Sequence, residues 1–102
     1  MQTKSPADAA RGIVDLLLKG EYEAALANST PQMKQAVTPA RIGQVMAGLS
    51  SNGALREVRA ATAASAGGYD VITIPVVYEK AAFDFVVSLD SAGKLAGLFV
   101  RR

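Results

Sequence analysis

The chain has 102 residues, which is the size of one domain with a single modest core. Eleven basic and nine acidic residues are scattered along it, and no run of one sign forms the basic footprint of a nucleic-acid surface. Because cysteine and histidine are both absent, disulfides, thiolate nucleophiles, Cys/His zinc sites and Ser-His-Asp triads are excluded. No apolar stretch has the length of a membrane span.

Helices are predicted across residues 6–50. Three of them begin with the same pair, a hydroxyl residue that can cap the helix followed by a proline that suits its first turn. These starts are Ser5-Pro6, Thr30-Pro31 and Thr38-Pro39. Gly20 is placed to end the first helix, and Glu21–Asn28 is expected to form a short second one. Asn28-Ser29-Thr30 matches a glycosylation sequon but is interpreted as a helix-end and cap cluster.

Strands are predicted from residue 54 onward, because the apolar spacing changes to alternation and Gly-containing turns follow. The four predicted strands are Leu55–Ala66, Tyr69–Glu79, Ala82–Leu89 and Lys94–Arg102. Pro75 lies inside the strongest of them and indicates an edge position or a bulge, since proline cannot donate to a ladder. The fold class is therefore α+β, with helices at about 6–50 packed on a four-stranded antiparallel sheet at about 54–102, in one domain.

The second and fourth strands carry apolar residues on both faces, and four short helices cannot easily cover two faces. An uncovered apolar face usually meets a partner, so we expect a homodimer formed through the sheet. The candidates for its face are Ile72, Ile74, Val76, Leu98 and Val100.

Three segments together resemble a known family. They are GEYEAALANSTPQM (Gly20–Met33), GYDVITIPVVYEKAAFDFVVSLDSAGKLAGLFV (Gly68–Val100) and, most specifically, LDSAGKLAGL (Leu89–Leu98) within the second. The chain resembles the DUF3887 group of the NTF2-like superfamily, which includes SnoaL-like and ketosteroid-isomerase-like proteins. The resemblance implies a cone-shaped bacterial domain, in which a curved four-stranded sheet wraps around the helices and encloses a cavity. It also implies frequent dimerisation through the sheet and a place beside serine or α/β hydrolases.

The function expected from this resemblance is a non-catalytic accessory module for binding a small apolar ligand or for dimerisation, without cofactor or metal. The alternative is a small cavity enzyme, an isomerase, cyclase or hydrolase, that uses an aspartate and a tyrosine. A third interpretation is a piece of a larger hydrolase that shapes the substrate entrance. Side chains expected to line a ligand cavity are Tyr22, Met33, Met46, Tyr78, Phe85 and Phe99.

The carboxylates favour no reaction. Asp84 is expected on the polar face of its strand, while Asp70 and Asp90 are expected at turns, where a solvated or turn-forming role is commoner than catalysis. Ser91-Ala92-Gly93-Lys94 matches the S-x-x-K motif of serine acyl-transferases but falls on a predicted turn, whereas that chemistry needs a helix start. The compartment stays undecided between a cytoplasmic protein and an exported one whose leader has been removed.

Overall fold

A computed structural model describes residues 5–101. Four helices precede five strands, which matches the expected α+β order. The helices are α1 (Pro6–Leu18), α2 (Tyr22–Leu26), α3 (Pro31–Ala36) and α4 (Pro39–Ser50). The strands are β1 (Leu55–Val58), β2 (Thr62–Ala66), β3 (Tyr69–Tyr78), β4 (Ala82–Leu89) and β5 (Leu95–Arg101). Arg102, which was included in the predicted last strand, lies outside the described residues.

The three predicted helix starts are confirmed in detail. The hydroxyl of Ser5 accepts from the backbone N–H three residues on at 3.2 Å, and those of Thr30 and Thr38 do the same at 3.2 Å. Each side chain thereby satisfies one of the donors that a helix start leaves unpaired. Gly20 follows α1 with a φ of +84°, a left-handed conformation that glycine adopts without a Cβ penalty.

The sheet is antiparallel and has five strands rather than four. Its order is β1-β3-β4-β5, and β2 pairs with the same edge of β3 as β1 does. The predicted strand Leu55–Ala66 is therefore interrupted between Val58 and Thr62. The backbone carbonyl of Pro75 accepts from the N–H of Arg59 at this break. Since a strand residue aims its N–H and C=O to the same side, the missing donor of Pro75 faces the interruption, which explains how proline fits in an interior strand.

The helices cover one face of the sheet and form the core with it. Along β3 the buried positions alternate, from Ile72 through Ile74 and Val76 to Tyr78. α1 packs across β3 and β4, and α3 lies beside β5. The largest fully buried side chains include Phe85, Leu17, Ile72 and Ile74. The opposite face of the sheet, called the outer face below, is covered by none of the helices α1–α4 of residues 5–101.

The linker between α2 and α3 adds a short parallel bridge to β5. The N–H of Leu95 donates to the carbonyl of Asn28 at 2.8 Å, and the carbonyl of Leu95 accepts from Thr30 at 3.0 Å. Ser29 is buried between them and donates its hydroxyl to the carbonyl of Leu26 at 2.6 Å. The cap-cluster interpretation is thus confirmed, and the linker also holds the sheet edge. None of the helices in residues 5–101 is long and apolar enough to cross a membrane.

Candidate functional site

A surface cleft of about 360 Å³ brings together three of the predicted ligand-contacting side chains, Tyr22, Met46 and Tyr78. It lies where the end of α1, the last turns of α4 and the start of β1 meet the end of β3. We call it the tyrosine cleft. Most of its lining residues have apolar side chains, but the wall surface itself is more polar than apolar, and Lys19 contributes the one cation among the described lining residues.

Tyr22 is fixed in the tyrosine cleft by a glycine on the facing helix. A Cβ built on Gly43 of α4 would lie 3.2 Å from Cε2 of Tyr22, closer than most carbon contacts. The ring of Tyr22 therefore rests directly on the α4 backbone. Glycine in a helix interior lowers stability by about 1 kcal/mol relative to alanine. The contact with Tyr22 gives a packing reason for a glycine at position 43.

Tyr78 forms the inner wall of the tyrosine cleft and is 6% exposed. Its ring meets Phe83 edge to face, with centroids 6.0 Å apart and planes at 76°, a favourable arrangement for aromatic pairs. Burial raises the pKa of the Tyr78 hydroxyl above its ordinary value, and repulsion from Tyr22 raises that pKa further. At neutral pH Tyr78 is therefore a protonated phenol, which can donate or accept a hydrogen bond but does not supply charge.

The other cavity candidates lie elsewhere. Met33 and Phe85 are buried in the core, where they fill the space between helices and sheet. Phe99 lies on the outer face of the sheet and is 63% exposed. Three of the six predicted side chains therefore meet in one cleft. The other three do not, because Met33 and Phe85 are packed in the core and Phe99 lies on the opposite face of the sheet.

Asp84 and Asp90 occupy the positions that the sequence indicated, whereas Asp70 lies within β3 rather than in the turn, where its Oδ1 accepts from the hydroxyl of Ser65 at 3.4 Å. Asp84 faces Arg101 across β4 and β5, with Oδ2 and Nε 3.9 Å apart. Asp90 closes the β4–β5 turn, since its Oδ1 accepts from the N–H groups of Ala92 and Lys94 at 3.0 and 2.9 Å. That turn also contains the S-x-x-K match, so no helix start aims its serine and lysine together.

No carboxylate lines the tyrosine cleft among residues 5–101. Nor do any three potential ligand side chains of the Asp, Glu, His or Cys types cluster in that range. An aspartate–tyrosine reaction would need a carboxyl beside Tyr22 or Tyr78. The carboxylate of Glu79 accepts a hydrogen bond from the N–H of the lining residue Ala54 at 2.8 Å.

Three of the residues expected at a dimer face are under the helices instead. Ile72, Ile74 and Val76 each have 0% exposure in the isolated chain. A contact between two sheets would therefore use the outer face. The β3 residues predicted for it lie on the covered face, because the side chains on both faces of β3 are apolar and do not show which face the helices cover. On the outer face, the cross-strand row Thr73, Val86 and Phe99 crosses β3, β4 and β5 at about their mid-length and ends on the edge strand β5.

The remaining two candidates, Leu98 and Val100, are half-buried at the β5 side of the helix layer. Together with α3 and α4 they line an apolar groove of about 160 Å³, called the β5 groove. Its main lining residues are Val37, Arg41, Ile42, Val45, Leu98 and Val100. Sequence reasoning missed this groove, because it depends on how α3 and α4 stand relative to an edge strand. By spacing alone, Val45 belongs to the same apolar helix face as Ile42 and Met46, so its 41% exposure is visible only in the structure.

Comparison with protein families gives a match over residues 10–98 to the family described as "Protein of unknown function (DUF3887)". This chain belongs to the DUF3887 family. The matched range contains all four helices except the first turn of α1, and it ends within β5. The family description assigns no activity to the tyrosine cleft, the outer face or the β5 groove.

The DUF3887 domain is also similar in fold to a solved structure, described as "NMR structure of protein from Ruminococcus gnavus ATCC 29149". The TM-score is 0.70 at 14% sequence identity, and the match covers 97% of this chain and 90% of the other. At that identity the similarity concerns the fold alone. None of the curated protein sequences compared with this domain matches it.

Proposed function

We propose that this DUF3887 domain is a non-catalytic module that forms a homodimer through the outer face of its sheet. The observation that carries the proposal is Phe99, a large aromatic side chain left 63% exposed on the edge strand β5, on a face that no helix of residues 5–101 covers. Val86, the cross-strand partner of Phe99 on the same face, is only 8% exposed. An apolar patch of this kind on a sheet is a typical protein-contact surface.

The size of the outer face sets the expected strength of the contact. Four strand positions about 4.8 Å apart and seven residues at about 3.3 Å each give roughly 19 by 23 Å, or about 440 Å² per copy. Two copies bury about 880 Å² of such area, near the lower limit of roughly 1,000 Å² for a specific interface. We therefore expect a weak, concentration-dependent dimer rather than an obligate one.

Charges on the outer face are compatible with a two-fold contact. The Asp84–Arg101 pair is one row from Phe99 and is largely exposed. In a two-fold interface, each surface patch meets its own copy. Arg101 of one copy can then lie near Asp84 of the other without placing like charges together. Such rim pairs affect specificity and association rate more than affinity.

Sedimentation equilibrium between about 10 µM and 1 mM tests the dimer. The unmodified domain should shift from monomer towards dimer over this range, and Phe99→Ser should stay monomeric. Val45→Ser is the matched control, since Val45 is an exposed apolar residue on the helix side, 41% exposed. A monomer at 1 mM for the unmodified domain, or equal association of both variants, would contradict the proposal. Circular dichroism melting confirms that each variant is folded.

A second function is supported by the tyrosine cleft, and we propose that it binds a small, flat apolar molecule. Tyr22 and Tyr78 offer aromatic surface, Met46 offers an adaptable contact, and Lys19 lies at the rim. Fluorescence of 1-anilinonaphthalene-8-sulfonate measures this directly, because the chain has no tryptophan to interfere. Tyr22→Ala should lower the probe affinity at least about threefold while Tyr69→Ala, a tyrosine outside the cleft, should not. Equal affinities would refute the assignment.

We also propose that the domain has the NTF2-like cone architecture and acts as an accessory to a serine or α/β hydrolase, as the resemblance of residues 20–33 and 68–100 implies. The helix layer on one face of the sheet is compatible with the cone architecture, and the hydrolase role rests on the resemblance alone. The sequence of the complete gene and its neighbours tests it. A hydrolase encoded in the same chain or beside it supports the proposal, and neighbours without any hydrolase in several genomes would refute it.

A further inference from the structure

The hydroxyl of Tyr78 is a polar group that the folded chain leaves without a partner. The residue is 6% exposed, and no residue of 5–101 forms a hydrogen bond with its hydroxyl. Within that range, every fully enclosed side-chain oxygen or nitrogen has a partner. The Tyr78 hydroxyl is therefore not sealed in the core, and it opens to the tyrosine cleft that its side chain lines. Because buried polar groups of native proteins are normally hydrogen-bonded, this hydroxyl is suited to a partner that enters the cleft.

Tyr22 brings a second such hydroxyl to the tyrosine cleft. Its hydroxyl also has no hydrogen bond to any residue of 5–101. Burial, and then repulsion from Tyr22, raise the pKa of Tyr78, so Tyr78 keeps its proton at neutral pH and can donate it in a hydrogen bond. Since that repulsion acts only at short range, the two phenols are near enough to contact the same small molecule.

Lys19 gives the tyrosine cleft its charge. It is exposed at the end of α1, and no carboxylate of residues 5–101 lies within 4.0 Å of its ammonium. None of the described lining residues is acidic. Glu79 follows Tyr78 but does not line the cleft, and its Oε1 already accepts from the N–H of Ala54 at 2.8 Å. Two phenol donors and one unpaired cation favour an anionic oxygen as the acceptor.

The size and surface of the tyrosine cleft limit what carries this oxygen. Its volume of about 360 Å³ corresponds to about twelve liquid waters at about 30 Å³ each, the scale of a two-ring aromatic molecule. The wall surface is more polar than apolar, so a plain hydrocarbon would leave polar groups of the wall without partners. The rings of Tyr22 and Tyr78 and the thioether of Met46 are suited to a flat ring.

We propose that the tyrosine cleft binds a planar aromatic carboxylate, whose oxygens accept hydrogen bonds from the Tyr78 and Tyr22 hydroxyls and lie near the Lys19 ammonium. The carboxylate class rests on the binding of a small, flat molecule proposed above for the same cleft. Hydrogen bonds to an ionised acceptor are roughly twice as strong as those between neutral groups. The carboxylate therefore distinguishes this ligand from a neutral or cationic molecule with the same rings.

Isothermal titration calorimetry with 2-naphthoate, 2-naphthamide and 2-naphthylmethylamine tests the chemical class, because the three probes share one ring system and differ in charge. The unmodified domain should bind 2-naphthoate at least about tenfold more tightly than the other two. Equal affinities for the three probes would overturn the carboxylate class and leave the binding of a flat molecule in place. If none of them bound at about 0.5 mM, the carboxylate class and the proposed binding function would both be wrong.

Protein variants test the roles of the hydroxyl and the ammonium. Tyr78→Phe keeps the ring, so it should weaken binding of 2-naphthoate at least about fivefold and change that of 2-naphthylmethylamine less than about twofold. Tyr69→Phe, at an exposed tyrosine outside the cleft, should change neither. Lys19→Gln should weaken binding of 2-naphthoate at least about threefold, whereas Lys94→Gln, at an exposed lysine of the β4–β5 turn, should not.

Circular dichroism melting confirms that each variant is folded, and Lys19→Gln changes an exposed residue that the core does not need. Unchanged affinity for 2-naphthoate in either Tyr78→Phe or Lys19→Gln would overturn the proposal. The same holds if the control variants Tyr69→Phe and Lys94→Gln weakened binding as much as their partners in the cleft.

Discussion

Replacing Gly43 by alanine gives a sharp test of the packing at the tyrosine cleft. The substitution should gain about 1 kcal/mol from helix propensity, because glycine is the poorest helix former after proline. It also places a Cβ 3.2 Å from Cε2 of Tyr22. Crowding of a packed site typically costs about 1–3 kcal/mol. The two effects oppose each other, so we expect Gly43→Ala to be neutral or destabilising by up to about 2 kcal/mol.

Gly48→Ala is the matched control in the same helix. A Cβ at Gly48 would meet nothing within 4 Å, so this variant should gain about 0.5–1 kcal/mol of unfolding free energy. For a domain of this size 1 kcal/mol corresponds to roughly 4–8 °C in Tm. The two variants should therefore differ by several degrees in thermal melts, and urea titration gives the same comparison as free energies.

The origin of the difference is tested in a Tyr22→Ala background. Without the ring, Gly43→Ala should become as stabilising as Gly48→Ala, since the crowded contact no longer exists. A double-mutant cycle would assign the missing stability to the pair. The reasoning is refuted if Gly43→Ala and Gly48→Ala stabilise equally in the unmodified domain, or if Tyr22→Ala does not change their order.

The remaining predictions concern the core, one turn and one titrating group. Phe85→Ala should cost about 3–5 kcal/mol by urea titration, since a fully buried aromatic leaves a cavity. Gly53→Ala should destabilise the domain more than Gly93→Ala in the same assay. Both glycines have positive φ, but only at Gly53 would a Cβ approach Glu79, to 2.7 Å from Oε1. Equal destabilisation by the two substitutions would contradict the expected clash with Glu79. Finally, the raised folded-state pKa of Tyr78 means that the unfolded chain loses this proton first, so stability should fall as pH rises above about 10 and through the folded-state pKa. Urea titrations across that pH range should show the unfolding free energy of Tyr78→Phe falling less steeply with pH than that of the unmodified domain. Equal slopes for the two proteins would contradict this prediction.

Local sequence signals predicted the elements well because their physical causes are local. The caps at Ser5, Thr30 and Thr38 and the turn at Gly67-Gly68 depend on a few neighbouring residues, and all are present. The strand break after Val58 was not predicted. Pro75 lies opposite this break, where its carbonyl accepts from Arg59, but it is 17 residues beyond Val58 in the chain and reaches that place only after β3 pairs.

The candidate site was predictable only in part, because alternation shows that a strand has two faces but not which face the helices cover. Ile72 and Phe99 are similar in apolar character, yet one is fully buried and the other is 63% exposed. Tyr22 and Tyr78 were expected at a cavity and do meet in one cleft. The β5 groove needs the positions of three separate elements, which no pattern within one element encodes.

Two-dimensional NMR of the ¹⁵N-labelled domain during dilution tests the proposed dimer most directly. Between about 1 mM and 10 µM, amide signals of Thr73, Val86 and Phe99 on the outer face should shift progressively, while those of Ile42 and Val45 in the β5 groove should stay constant. Shifts confined to β5 and α4, or spectra that do not change with concentration, would contradict self-association through the outer face.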